Sequence, residues 1–156
     1  MVASGRPSMQ VLLQRVAWAD VRVDGDVTGR IEQGLVALVG VGQRSTADDA
    51  QWLASKTAAL RVFGDASGRM DRSVAEQGGS VLAISQFTLY GDVRKGRRPS
   101  FTAAADPAQG QRLFEEYCDA LPVPVARGVF GAHMRIGLEA DGPVTLLLRS
   151  EDGQRT

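Results

Sequence analysis

Residues 81–101 read VLAISQFTLYGDVRKGRRPSF, and the stretch changes character halfway. VLAI is apolar at every position, as a strand buried on both faces must be. Beyond it, Ser85 and Phe87 fall on one side of an extended chain and Gln86 and Thr88 on the other, so the strand is expected to run over residues 81–89. Gly91 and Asp92 then open a loop in which Arg94, Lys95, Arg97 and Arg98 surround Gly96. Such cations are read either as a solvated loop or as a clamp on a phosphate backbone, which Gly96 would let approach closely.

Working outward, the remaining elements follow from pattern and punctuation. Residues 11–16 read as a strand. Val21 and Val23 alternate with Arg22, the Asp24-Gly25 pair supplies a tight turn, and Val27 resumes the alternation. LVALVGV, residues 35–41, is apolar on both faces and reads as a buried strand. Thr46 can cap a helix whose first turn carries Asp48 and Asp49 and whose apolar face includes Leu53, Thr57 and Leu60. Asp106 and Pro107 start a second helix, with Leu113, Phe114, Tyr117, Cys118 and Leu121 as its stripe and Pro122 and Pro124 beyond its end. HMRIGLE and VTLLLR read as two strands around an Ala140-Asp141-Gly142-Pro143 connection. The order strands, helix, strand, helix, strands favours an α+β or layered α/β domain over a doubly wound sheet. Residues 1–8 are expected to be a flexible tail, 9–150 one domain and 151–156 a C-terminal tail.

Composition narrows the function classes. With 18 Lys+Arg against 18 Asp+Glu in 156 residues, overall charge points to neither nucleic acid nor membrane, so an anionic partner must be met by a local patch. One cysteine, Cys118, allows no intrachain disulfide, which agrees with a reducing, cytoplasmic setting. One histidine, His133, makes a His/Cys metal cluster unattractive, and no metal or other cofactor is expected. No apolar run approaches the roughly 18 residues of a membrane span.

Three features invite sharper readings and have bland alternatives. Gly40-Val41-Gly42 between a strand and a helix imitates a dinucleotide fingerprint, but Ser45 stands where its third glycine should be, and an ordinary strand-to-helix turn is the simpler reading. His133 has no Gly-x-Ser-x-Gly partner segment, and Cys118 falls in an apolar helix stripe, so neither points to a nucleophilic site.

Ser85-Gln86-Phe87-Thr88-Leu89 followed by Gly142-Pro143-Val144-Thr145 resembles the paired signature of the D-aminoacyl-tRNA deacylases, also called D-tyrosyl-tRNA deacylases. Gln14-Arg15-Val16, Val27-Thr28-Gly29, Gly78-Gly79-Ser80-Val81 and Arg98-Pro99-Ser100-Phe101 also fall where that family has similar segments. The resemblance implies a homodimer of single-domain, three-layer β/β/α sandwiches. It implies hydrolysis of the ester between a D-amino acid, or wrongly attached glycine, and the terminal ribose of tRNA. It further implies a cis Gly142-Pro143 bond reaching into the partner subunit's site, with Arg15 holding the dipeptide and Ser85, Gln86, Phe87 and Thr88 lining the pocket. Where the family usually has Asn-x-Gly-Pro, this chain has Ala140, which lacks the amide's hydrogen bonds, and Asp141 would point the other way in an extended segment. Related animal deacylases hold the dipeptide in trans and tolerate L-alanine; SQFTL and Arg15 resemble the D-specific branch.

The chemistry is consistent with that implication. An aminoacyl ester is already activated, so the enzyme's harder task is to separate D from L. A wall of backbone carbonyls near Cα would accept the ammonium and hydrogen yet clash with an L Cβ, while tolerating many side chains. Backbone N–H groups near Phe87 and Thr88 would serve as an oxyanion hole, with attack by water or assisted by the ribose 2′-OH; Thr88 as nucleophile is the alternative, without an obvious base. Arg94, Lys95, Arg97 and Arg98 would then meet phosphates of the tRNA acceptor end. The competing class is a non-catalytic RNA-binding module using the same basic loop, although only 6% of the residues are aromatic and paired stacking residues are lacking.

Overall fold

The structure, a computed structural model, describes residues 8–151 and 154–156. In chain order its elements are β1 (Met9–Val23), β2 (Asp26–Ile31), β3 (Gly34–Val41), α1 (Ala47–Ala59), β4 (Phe63–Gly64), β5 (Met70–Arg72) and β6 (Ser80–Ser85). A 3-10 turn (Phe87–Tyr90), α2 (Pro107–Ala120), β7 (Val125–Arg127), β8 (Arg135–Glu151) and β9 (Gln154–Arg155) follow. The principal sheet runs β7-β6-β3-β1-β8-β9, with β2 also paired to β1. The β3–β6 and β6–β7 pairs are parallel and the others antiparallel. Neither helix is long and apolar enough to cross a membrane.

Side-chain alternation builds two cores. Leu35, Ala37 and Val39 of β3, with Val81 and Ala83 of β6, join Leu53 of α1 and Leu113, Phe114 and Tyr117 of α2 in one cluster. The intervening Val36, Leu82 and Ile84 join Val16, Ala19, Val21 and Ile31 in the other. Because successive strand residues face opposite ways, the clusters lie on opposite faces of the sheet. This explains why residues 35–41 and 81–84 are apolar throughout. β1 serves both faces: Met9, Val11 and Leu13 point to the helices, whereas Ala19 and Val21 point to the second cluster. Register slips between Gln14 and Trp18 change the parity between these two halves.

The local signals hold. Asp24 (φ 51°) and Gly25 (φ 87°) form the two-residue turn joining β1 to β2. Thr46 caps α1 in a reciprocal box with Asp49. Asp106 caps α2, and Pro107 opens it.

Four expectations are corrected. First, the early strand readings merge into β1, which bends through its register slips. Second, residues 135–151 form one strand rather than two. Its ladder nevertheless breaks where a connection was expected: β1 advances from Gln14 to Val16 while β8 passes from Thr145 to Ala140, so residues 141–144 bulge out. Third, β6 stops at Ser85 instead of continuing to residue 89, because the chain coils into the 3-10 turn. Fourth, both expected tails contain packed residues. Ser8 is buried and its carbonyl accepts hydrogen bonds from Gly42 N–H and Tyr90 Oη, while residues 1–7 lie outside the described residues. At the other end, β9 pairs with β8, and Arg155 forms an ion pair with Asp48 and stacks over Trp52.

Candidate active site

The chain after β6 turns because its backbone polar groups find partners there. Gln86 N–H donates to the Val39 carbonyl at 2.8 Å, Leu89 N–H to Gln86 at 3.2 Å and Gly91 N–H to Thr88 at 2.9 Å. The turn sits on the end of β3, where an added Cβ on Gly40 would lie 3.1 Å from the Leu89 side chain and one on Gly42 2.9 Å from the Tyr90 ring. The glycines that imitated a nucleotide fingerprint are therefore occupied from above by this turn.

Within the turn, Phe87 and Thr88 are exposed and Tyr90 is buried. The first N–H groups of a helical turn lack intrahelical acceptors, and among the described residues those of Phe87 and Thr88 find none elsewhere. The Gln86 amide donates to Thr88 Oγ1. No carboxylate or imidazole is hydrogen-bonded to that hydroxyl among the described residues.

Beside the turn lies a cleft of about 440 Å³ whose walls include Ser85, Phe87, Phe101, Pro107, Phe130 and Met134. Phe87 and Phe101 meet edge-on, 5.1 Å between centroids. Of the expected pocket residues, Ser85 and Phe87 line this cleft and Gln86 and Thr88 do not. Sequence reasoning missed Phe101, Phe130 and Met134 as wall residues. Phe101 stood in the recognised Arg98-Pro99-Ser100-Phe101 segment. Phe130 had only its position between Gly128 and Gly131 as a signal, and Met134 lay in an apparent strand.

The basic loop grows directly from this wall. Asp92 and Ser100 exchange backbone hydrogen bonds of 2.7 and 2.9 Å, closing residues 93–99 into a hairpin loop immediately before Phe101. Gly96 takes a left-handed conformation, φ 63°. The four expected cations are not equivalent. Arg94 grips the Asp92 carboxylate through Nε at 2.9 Å and Nη2 at 2.6 Å, a contact that also raises the guanidinium pKa. Lys95, Arg97 and Arg98 are exposed and have no ion-pair partner among the described residues.

Gly142 and Pro143 stand apart from the cleft, on the exposed bulge of β8, joined by a cis peptide bond. Arg15 projects beneath the bulge. Its Nε donates to the Asp141 carbonyl at 3.0 Å and lies 3.5 Å from the Asp141 carboxylate, and its Nη1 donates to the Val62 carbonyl. Asp141, expected to point away, thus meets Arg15 because the bulge departs from a regular strand. A Cβ on Gly142 would lie 2.8 Å from Val144 N and 3.2 Å from Arg15 Nη2, and φ is 134°, so this position requires glycine. Within one chain the structure therefore makes two separate assemblies: cleft plus basic loop, and Arg15 plus Gly142-Pro143.

Of the two single-residue distractions, His133 is exposed. Cys118 is buried in the helix-side core, where desolvation pushes its thiol up to about 11.

Known proteins resemble this chain in sequence and fold. Residues 12–149 match the family model described as D-Tyr-tRNA(Tyr) deacylase. A D-aminoacyl-tRNA deacylase of Chloroherpeton thalassium is 51% identical over 91% of this chain and 96% of its own. That of Deinococcus radiodurans is 52% identical over 90% and 99%. Among solved structures, the c-Myc DNA Unwinding Element Binding Protein superposes with TM-score 0.85 at 33% identity, covering 90% of this chain and 98% of its own. A match covering residues 12–149, together with relatives more than half identical along nearly their full length, establishes that this chain belongs to the D-Tyr-tRNA(Tyr) deacylase family, whose curated relatives are D-aminoacyl-tRNA deacylases.

Proposed function

We propose that this protein hydrolyses the ester linking a D-amino acid, or wrongly attached glycine, to the terminal ribose of tRNA. It does so in the cytoplasm, as a homodimer of three-layer β/β/α subunits. The observation that carries the reading is the separation just described: Gly142-Pro143, exposed and braced by Arg15, does not line the cleft of its own chain. A second copy of the chain would bring one to the other. The outer edge of β8 supports this, because among the described residues every strand partner of residues 135–148 lies on β1, and Ile136, Leu146 and Leu147 are left exposed. Such an edge is normally covered.

In this arrangement the apolar cleft takes the end of the tRNA, and the basic loop meets nearby phosphates. The Phe87 and Thr88 N–H groups face the ester carbonyl and stabilise the oxyanion that forms as water, or water aided by the ribose 2′-OH, attacks. The partner's dipeptide supplies carbonyl oxygens that accept the substrate ammonium and leave no room for an L Cβ. A clash of about 4 kcal/mol gives about a thousandfold discrimination. Glycine, having no Cβ, passes the same test. Thr88 as a covalent nucleophile is less well supported, since its hydroxyl is engaged by an amide rather than a base.

The test is hydrolysis of one tRNA charged separately with D-tyrosine and L-tyrosine, alongside measurement of mass in solution. Rapid loss of the D ester alone, by a dimer, is expected. Salt-sensitive tRNA binding with no hydrolysis of either ester would replace this reading with that of an RNA-binding module.

A further inference from the structure

The Phe87–Tyr90 turn is held from beneath by groups that do not line the cleft. Gln10, on β1 and only 6% exposed, donates its Nε2–H to the Leu89 carbonyl at 3.1 Å across 79 residues of sequence. Tyr90, 1% exposed, donates its hydroxyl to the Ser8 carbonyl at 3.0 Å. That carbonyl also accepts from Gly42 N–H at 3.1 Å and from the Ser45 hydroxyl. Gln10 of β1 and Ser8 just before it thus reach the turn at two successive positions, Leu89 and Tyr90. At the opposite end, Gln86 N–H is fixed to the Val39 carbonyl. Phe87 and Thr88, whose N–H groups have no partner among the described residues, lie between these two fixed points.

The Leu89 carbonyl belongs to the last turn of a 3-10 segment, where carbonyls have no intrahelical donor. Gln10 supplies one from the protein interior. Without it the Leu89 peptide unit is free to rotate toward another donor, and the peptide planes preceding it turn with it. An oxyanion hole depends on donor direction more than on donor presence, because its advantage lies in being already aimed when charge develops. A buried amide whose identified bond runs to this turn is well placed to hold that aim.

We propose that Gln10, assisted by the Tyr90–Ser8 hydrogen bond, is a positioning residue that aims the Phe87 and Thr88 N–H groups at the ester. The proposal rests on the deacylase reading of the turn. It predicts a loss in kcat rather than in tRNA binding, since Gln10 touches none of the proposed tRNA contacts.

The experiment compares wild type with Gln10→Leu, Gln10→His and Tyr90→Phe on D-tyrosyl-tRNA, measuring kcat, KM and melting temperature. Gln10→Leu removes the donor at similar volume; kcat is expected to fall about tenfold or more with KM within about twofold. Gln10→His keeps a ring N–H at a comparable reach and is expected to recover most of kcat. Tyr90→Phe preserves the packing, is expected to lower kcat several-fold, and gives the answer if Gln10→Leu does not fold. An active wild type with kcat unchanged in Gln10→Leu, or in Tyr90→Phe where Gln10→Leu does not fold, overturns the proposal alone. So does a fall in kcat that Gln10→His leaves unrescued. A wild type inactive on D-tyrosyl-tRNA overturns the deacylase reading and this one with it.

Discussion

Neutralising the basic loop has a magnitude that follows from its internal pairing. Arg94 is already matched by Asp92, whereas Lys95, Arg97 and Arg98 have no ion-pair partner among the described residues. Each contact to a single-stranded phosphate contributes about 0.7 to the slope of log affinity against log salt, so replacing those three by alanine lowers the slope by about 2. Between about 50 and 200 mM salt, a slope change of that size removes about a 16-fold variation in affinity. Arg94→Gln, by contrast, is expected to change the slope by less than about 0.5, because it deletes a charge already neutralised within the loop. Fluorescence anisotropy of a labelled single-stranded RNA matching the 3′ end of tRNA, titrated at several salt concentrations, measures both. An unchanged slope in the triple variant would refute the phosphate contact. A slope reduced as much by Arg94→Gln as by any other single replacement would refute the division of labour among the cations.

Arg15→Gln removes a charge-assisted hydrogen bond, of a kind worth about 1.5–3 kcal/mol, from the Asp141 carbonyl. Hydrolysis of L-tyrosyl-tRNA is expected to rise about tenfold or more relative to the D ester, and undiminished selectivity in paired D and L assays would count against Arg15 as the brace of the wall. Thr57 donates to Leu53 and must therefore accept from Tyr117 at 2.9 Å. Tyr117→Phe should cost about 1 kcal/mol by urea unfolding, since the Thr57 proton stays paired. Alkaline stability follows from Cys118, whose thiol burial raises from an ordinary 9.0 to about 11. The unfolded chain releases this proton first, so between those values it binds fewer protons than the native state and stability falls as pH rises. The loss attributable to the thiol is at most about 3 kcal/mol. Urea midpoints at pH 8.5 and pH 11 should therefore converge partly in Cys118→Ala, and an equal fall in both proteins would exclude the thiol as a source.

The parts of the fold that sequence made legible are those fixed within a few residues. Asp24-Gly25, the Thr46–Asp49 box and Asp106-Pro107 each satisfy backbone groups locally, and each sits where its chemistry indicates. What was not legible depended on distant partners. The alternation through Gln86, Phe87 and Thr88 is as compatible with a short helical turn as with a strand, and its resolution lies in Val39, Gly40, Gly42, Gln10 and Ser8. Equality among Arg94, Lys95, Arg97 and Arg98 was natural to a charge run; the Asp92 carboxylate ended it. Phe130 and Met134 became wall residues only when the chain between β7 and β8 came to lie across from Phe87.

Two sequence features that read as unrelated prove to be one piece of machinery. In the sequence Gly40 and Gly42 imitate a nucleotide fingerprint, and Ser85 to Leu89 resemble a deacylase signature. In the folded chain the glycines leave room for Leu89 and Tyr90, and that room allows the chain to coil sharply after Ser85. A side chain at either glycine would press on the turn that carries Phe87 and Thr88. The bare backbone at the end of β3 therefore shapes the candidate site from beneath, and its lack of side chains is what makes room for the turn.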